Sequence, residues 1–339
     1  MIPAAQEQPL NWGVVATGRI AHRVTADLAR LENSVLHAVS SRSAAAAKTF
    51  AGQYGFATSY HDQPGATAYE QLFADPDVDV VYIATPHARH HEVATAALKA
   101  GKHVVCEKPL TVNAREAQEL ILLAREQELF LMEAMWTRFL PSTRRALEVV
   151  RAGGIGTVRW VQADLGFAAT YDPRDRLWDP AAGGGALLDL AAYPLTWAVG
   201  MLGFPDSVTA AGRLNRDGID VQNTLTLGYA DGAAAQLVSS LESASPGIVT
   251  VSGTKGWLRT GSPLYNARRL EYAGPDGRVQ VEEFDEATEG FIHELREAGR
   301  CIRAGLPESP LMPWHESVKI MQILDDARSQ LGVHYENDR

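Results

Sequence analysis

The order of elements in this sequence calls for two differently built halves. The first is an α/β domain with a parallel, doubly wound sheet; the second is an α+β domain with a large, mostly antiparallel open sheet. Three observations carry this expectation. Apolar runs of strand length alternate with helical stretches up to about residue 132, the pattern of βαβ units with right-handed crossovers. From residue 158 on, strand-like segments follow one another, several of them through turns such as Asp231-Gly232 and Asp276-Gly277, which is hairpin chemistry. A chain of 339 residues also exceeds what one small core accommodates. The expected domains are 1–131 and 132–339.

Taken in order, residues 1–10 (MIPAAQEQPL) read as an unpaired tail. A buried strand over 11–16 runs through a small-residue turn into a helix over 20–31, and a strand over 35–40 and a helix over 44–54 follow. VDVVYIA, residues 78–84, is a continuous β-branched apolar run. A helix over 91–100 and a strand over 103–106 come next. Asn113 with Glu116 three residues on has the form of a capping box, and Ala117, Leu120, Ile121 and Ala124 keep helical spacing behind it. A strand over 130–134 closes the series.

After a helix over 141–152, strands are expected over 158–165, 207–214, 224–229, 234–241, 248–252 and 268–272, with final helices over 288–304 and 314–331. Residues 186–204 are apolar over nearly a membrane-spanning length, but Asp189 and Pro194 stand near the middle. A charge there is costly in lipid, so a buried helix behind the Gly183-Gly184-Gly185 turn is expected and no membrane association.

Composition narrows the function. A hydrophobic fraction of 46% and a charged fraction of 21% are those of a globular protein. A formal net charge of −10 argues against nucleic-acid binding, which needs clustered Lys and Arg. Two cysteines, Cys106 and Cys301, make no disulfide framework, and no secretory signal precedes the first strand. A cytoplasmic protein is the expectation.

The first strand leads into Ala16-x-Gly18-x-x-Ala21. A dinucleotide fingerprint wants small residues at these positions, for a tight turn and for backbone approach to a pyrophosphate. Gly18, Arg19 and Ile20 are the candidate contacts, and Gly18 is the position expected to tolerate a side chain least. An ordinary strand–turn–helix connection would look similar. The second strand ends in Ser40-Ser41-Arg42-Ser43, without the acid that usually takes the ribose 2′-hydroxyl of NAD. Ser41 and Arg42 suit a 2′-phosphate, so NADP is favoured and NAD is the alternative.

Two further loops follow parallel strands: Thr85-Pro86-His87-Ala88-Arg89-His90-His91 and Glu107-Lys108-Pro109. A lysine at the end of a buried strand is well placed for proton chemistry. No further ligand set of the HExxH or Cys-rich kind accompanies the histidines, so no metal is expected.

TPHARHHEVATAALKAGKHVVCEKPLTVNAREA (85–117) resembles the signature stretch of the glucose–fructose oxidoreductase/inositol dehydrogenase (Gfo/Idh/MocA) family, and GGGALLDLAAYPL (183–195) its second motif. FLMEAMWTRFLP (130–141) and VSGTKGW (251–257) carry a narrower resemblance to the dimeric dihydrodiol dehydrogenases, which also act as NADP-dependent D-xylose dehydrogenases. The resemblance implies a Rossmann domain followed by a mostly antiparallel sheet domain. It also implies NAD(P) contacts from Thr85, Pro86, His87, His90, Glu107 and Lys108, and a catalytic role for Lys108.

Much of the family ends the second motif in Asp-x-Gly-x-His, with histidine as acid/base. Here Asp189-Leu190-Ala191-Ala192-Tyr193 puts tyrosine in that place, as in the dihydrodiol dehydrogenases. Tyr193 is then the expected base for the substrate hydroxyl, with Lys108 favouring the phenolate. Asp189 shares its helix face and has two readings, catalytic or structural partner of Lys108. Trp136, Arg138 and Phe139 are the substrate candidates; Trp136 offers a flat wall to a sugar or cyclic diol, or simply packs between domains.

The expected function is oxidation of a D-xylose- or glucose-like sugar, or of a trans-dihydrodiol, by hydride transfer to nicotinamide C4. A keto-sugar reductase of the 1,5-anhydrofructose type and a non-catalytic nucleotide-sensing regulator are the alternatives. A homodimer is expected, with a tetramer as the alternative, because pairing would cover the open sheet.

Overall fold

The computed structural model describes residues 8–285 and 287–338. Most of the sequence-predicted tail, residues 1–7, lies outside them, and Leu10 already belongs to the first strand. The chain divides into two compact units. One takes Met1–Thr111, Arg115–Met135 and Ala287–Trp314; the other takes Val112–Ala114, Trp136–Glu286 and His315–Arg339. A single boundary at 131/132 therefore misses the return of Ala287–Trp314 to the first unit.

The first unit is built as β1 (Leu10–Val15), α1 (Arg19–Leu28), β2 (Ser34–Ser41), α2 (Ala44–Tyr54), β3 (Thr58–His61), α3 (Ala68–Phe73), β4 (Val80–Ile83), α4 (His90–Lys99), β5 (His103–Glu107), α5 (Ala114–Glu126) and β6 (Leu131–Ala134). Its six strands pair in parallel in the order β3-β2-β1-β4-β5-β6, the Rossmann order with its switch point between β1 and β4. β4 and β6 are buried along their whole length, as a sheet covered on both faces requires. Helix α2 follows from the alanine run, with Ser43 accepting at its N-cap and Gly55 closing it at φ 82°.

β3 and α3 escaped the sequence reading. β3 is a four-residue edge strand with no fully buried position, so it carries no apolar period. α3 spans six residues behind a Thr67–Glu70 capping box, a signal present in the sequence.

Helix Ile292–Arg303 docks on α1: the Asp27 carboxylate accepts from the N–H groups of Glu289, Gly290 and Ile292 at 3.3, 3.1 and 3.1 Å.

The second unit comprises α6 (Pro141–Arg151), β7 (Val158–Gly166), α7 (Ala192–Leu202), β8 (Ser207–Leu214), β9 (Asp220–Gly228), β10 (Ala234–Ser240), β11 (Val249–Gly253), β12 (Gly256–Thr260), β13 (Arg269–Ala273) and β14 (Val279–Glu283). The strands form one sheet in the order β14-β13-β12-β11-β7-β10-β9-β8. Only the β7–β10 pair is parallel; the others are antiparallel. β12 and β14 were not foreseen: β12 returns through a two-residue Thr254-Lys255 turn without glycine at either central position, and β14 is an exposed edge. β9 begins at Asp220 and not near 224, because buried Asp220 and Asn223 read as loop residues.

The apolar 186–204 stretch is a core element. Residues 180–202 meet the length and hydropathy of a membrane span, but 83% of the apolar window is buried inside the protein. Leu187–Ala191 forms a π-helical turn ahead of α7. Pro194 cannot donate back to that turn, which accounts for the widened helix there.

Candidate active site

The expected nucleotide contacts lie in the first unit; open α/β sheets bind ligands beyond the carboxyl ends of their strands. Between β1 and α1, Ala16 has φ 82°, the left-handed region that suits glycine and costs alanine about 1 kcal/mol. Ala16→Gly is therefore expected to raise stability by up to about 1 kcal/mol, the relief being partly offset by the chain entropy of glycine, seen as a higher urea midpoint.

Gly18 caps α1 in extended backbone without a side-chain cap, and the first turn holds no acid. A Cβ on Gly18 would meet nothing within 4 Å, so intolerance at this position, as expected from the sequence, has to come from a ligand and not from the protein. Arg19 is exposed and Ile20 half-buried at the helix start. At the end of β2, Ser41 Oγ lies 3.1 Å from Thr17 Oγ1. Arg42 beside it is exposed, while Ser43 is engaged as the cap of α2.

After β4, Thr85 Oγ1 is buried with no hydrogen-bond partner; Pro86 is exposed and His87 buried. His90 faces two carbonyls, Pro109 O from Nδ1 and Thr85 O from Nε2, both at 2.9 Å. It ties the loop after β4 to the loop after β5. His91 turns elsewhere, to Glu119 at 3.0 Å. Glu107 and Lys108 are each 7% exposed, and the Lys108 N–H donates to Glu107 Oε2 at 3.2 Å.

These residues fit a dinucleotide. An acid-free helix N-terminus without a side-chain cap, open space at Gly18 and an orphaned Thr85 hydroxyl are what a diphosphate and its nucleoside would use.

The second unit gathers Trp136, Tyr193 and Tyr265. The Trp136 Nε1–H donates to Tyr193 Oη at 3.2 Å, and Tyr265 lies 5.9 Å from Trp136 and 5.4 Å from Tyr193 between ring centroids. Tyr265 was missed because it sits on a short turn, Leu264–Asn266, without periodicity. That turn is held by Thr137 Oγ1 donating to Tyr265 O at 2.7 Å and Trp197 Nε1 donating to Leu264 O at 3.1 Å. Arg138 is buried in an ion pair with Glu316 and Phe139 is buried. Of the three substrate candidates, Trp136 is joined to Tyr193 by that hydrogen bond. Asp189 Oδ1 accepts from Arg176 at 3.0 Å, a partner on the preceding turn that the sequence reading did not identify.

The glycine turn before Tyr193 is clamped. A Cβ on Gly184 would stand 2.6 Å from Arg176 O, and one on Gly185 2.2 Å from Asp220 Oδ1. Asp220 Oδ2 accepts from Leu187 N–H at 2.8 Å and Asn223 at 2.9 Å, and Tyr335 donates to Gly184 O at 2.6 Å. Burial pushes the Asp220 carboxyl up to about 7, against these hydrogen bonds and the Arg328 charge. A free Asp titrates near 3.8, so the folded state gains from the proton. That stability is complete below about pH 4 and is lost as pH rises through 7, a few kcal/mol in order of magnitude. Asp220→Asn keeps an acceptor for Leu187 and is expected to flatten this part of the stability–pH curve, measured by denaturant unfolding.

Comparison with known proteins places these halves. Residues 10–135 match the oxidoreductase family with NAD-binding Rossmann fold, Gfo/Idh/MocA, and residues 143–259 match the Gfo/Idh/MocA C-terminal domain. The chain is 35% identical over 342 residues to trans-1,2-dihydrobenzene-1,2-diol dehydrogenase of Mus musculus, covering 97% of this chain and 99% of that one. It is 36% identical to the Sus scrofa enzyme of the same name, with the same coverage. Among solved structures, aldose-aldose oxidoreductase from Caulobacter crescentus, complexed with glycerol, superposes with TM-score 0.85 at 27% identity, covering 96% of this chain and 98% of that one. A 3-ketoreductase from Actinomadura kijaniata, in complex with TDP-benzene and NADP, gives 0.82 at 26%, covering 95% and 98%. With both domains matched and relatives above 30% identity along almost its whole length, the chain belongs to the Gfo/Idh/MocA family of NAD(P)-binding oxidoreductases.

Proposed function

We propose that this enzyme is an NADP-dependent dehydrogenase that oxidises a D-xylose- or glucose-like sugar or a trans-dihydrodiol. The observation that carries the reading is the Tyr193 hydroxyl, which accepts from the Trp136 N–H at the position where much of the family has its acid/base histidine. Indole N–H only donates. Tyr193 therefore receives a hydrogen bond that persists when its oxygen carries negative charge, which favours it as the acceptor of a substrate hydroxyl proton. In this reading Tyr193 takes that proton, Lys108 orients the hydroxyl, and Trp136 with Tyr265 forms the apolar wall. Asp189, tied to Arg176, positions the turn that carries Tyr193. The bound nucleotide supplies the hydride acceptor, C4 of its nicotinamide.

The near-full-length relation to dihydrodiol dehydrogenases supports the substrate class. A screen of D-xylose, D-glucose and trans-dihydrodiols with NADP and NAD tests it: NADP reduction with at least one is expected, and none with any would refute it. The likeness to a 3-ketoreductase favours a second reading, keto-sugar reduction, which the same screen run with NADPH and a keto-sugar would reveal.

NADP preference rests on Ser41 and Arg42. Arg42→Ala is expected to raise the KM for NADP roughly thirtyfold, the value of a charge-assisted hydrogen bond of about 2 kcal/mol, with the KM for NAD unchanged. Two buried free thiols, Cys106 and Cys301, suit a cytoplasmic enzyme. Trp160 and Val238, exposed on neighbouring strands of the eight-stranded sheet, favour a homodimer paired through that face, to be checked by sedimentation.

A further inference from the structure

Burying a carboxyl is costly unless it is neutral or paired, yet two glutamates meet a phenol inside the first unit. Tyr82, on β4, is fully buried, as is Glu294 on helix Ile292–Arg303. The Tyr82 hydroxyl stands 2.7 Å from Glu107 Oε1 and 3.4 Å from Glu294 Oε1. A phenol has one proton for these two acceptors. Given to the nearer one, Glu107, it leaves the phenol oxygen facing Glu294, a contact that is attractive only if Glu294 brings a proton of its own.

We propose that Glu294 is a positioning residue: as a neutral acid it donates to Tyr82, Tyr82 donates to Glu107, and Glu107 holds the Lys108 backbone. The last link is the Lys108 N–H donating to Glu107 Oε2 at 3.2 Å. Burial, the Glu107 charge and the Asp27 charge all hold the Glu294 carboxyl well above the usual range, and only the Tyr82 hydrogen bond opposes them. Burial likewise raises the Tyr82 phenol, with the Glu107 charge adding to it, so Tyr82 keeps its proton. The chain begins on a fixed element, because Asp27 of α1 pins the entry to the Glu294 helix. The inference rests on the reading of Lys108 as catalytic and extends it to the group that holds its loop.

Glu294→Gln retains an N–H donor for Tyr82, whereas Glu294→Leu removes it. In nucleotide-free protein at mildly alkaline pH, the infrared C=O stretch of a protonated carboxyl should be present in the wild type and absent in Glu294→Gln. Glu294→Leu should lower kcat roughly tenfold through a displaced Lys108, with nucleotide affinity unchanged, and Glu294→Gln should recover most of the loss. No infrared difference, a wild-type kcat in Glu294→Leu, or a Gln variant as damaged as Leu overturns the proposal. Should Glu294→Leu not fold, the infrared comparison decides alone. Lys108→Ala in the same series separates the two ideas. Retained turnover there refutes the catalytic reading, whereas its loss beside an unaffected Glu294→Leu refutes only the role of Glu294.

Discussion

Lys108→Ala is expected to lower kcat/KM by about a thousandfold, the scale of losing a preorganised charged donor at a water-poor site. Two observations set the size. Lys108 is 7% exposed at the end of β5, so solvent does little to screen its charge. Its loop is also held from two sides, by the His90 bridge between Pro109 and Thr85 and by Glu107, so alanine leaves a hole that the backbone cannot close. Because the other expected contacts, Gly18, Ser41 and Arg42 among them, remain, NADP affinity measured by fluorescence quenching should fall far less than kcat. The loss then falls on turnover. A thousandfold loss that appeared entirely as weaker nucleotide binding would make Lys108 a cofactor anchor.

Tyr193→Phe carries the second large effect, a fall in kcat of about a hundredfold to ten-thousandfold, the range for a positioned proton acceptor. The ring stays, so contact with Tyr265 and the packing of α7 should survive. The Trp136 N–H loses its acceptor, which costs about 1 kcal/mol of stability. A small change in unfolding midpoint beside a large change in kcat is the expected signature. Thermal unfolding and steady-state kinetics on the same preparation distinguish it from a core defect, which would move stability most.

The parallel sheet was legible in the sequence because its central strands are buried on both faces and written as unbroken apolar runs, as in residues 80–84 and 104–106. The antiparallel sheet was legible where turn residues mark the hairpins. What stayed hidden was short, polar or exposed: edge strand β3, edge strand β14, and the start of β9 at Asp220. The site divides in the same way. Lys108 and Tyr193 stand in motifs, and their positions follow from the strand and helix that present them. Tyr265 sits on an aperiodic turn, and the Arg176 partner of Asp189 precedes it by thirteen residues outside any regular spacing. Asp220, Tyr335, Tyr82 and Glu294 were not singled out at all. A buried acid can be read from sequence only when its partner can, and these partners come from distant parts of the chain.

The central claim is the proposal that Lys108 and Tyr193 both serve the oxidation step, and a double-mutant cycle tests it most directly. Nicotinamide reduction would be followed in single turnovers for wild type, Lys108→Ala, Tyr193→Phe and the double variant. The account predicts that the double variant loses little more than the worse single variant, the behaviour of residues that work together. Losses that multiply, or wild-type turnover in either single variant, would contradict it.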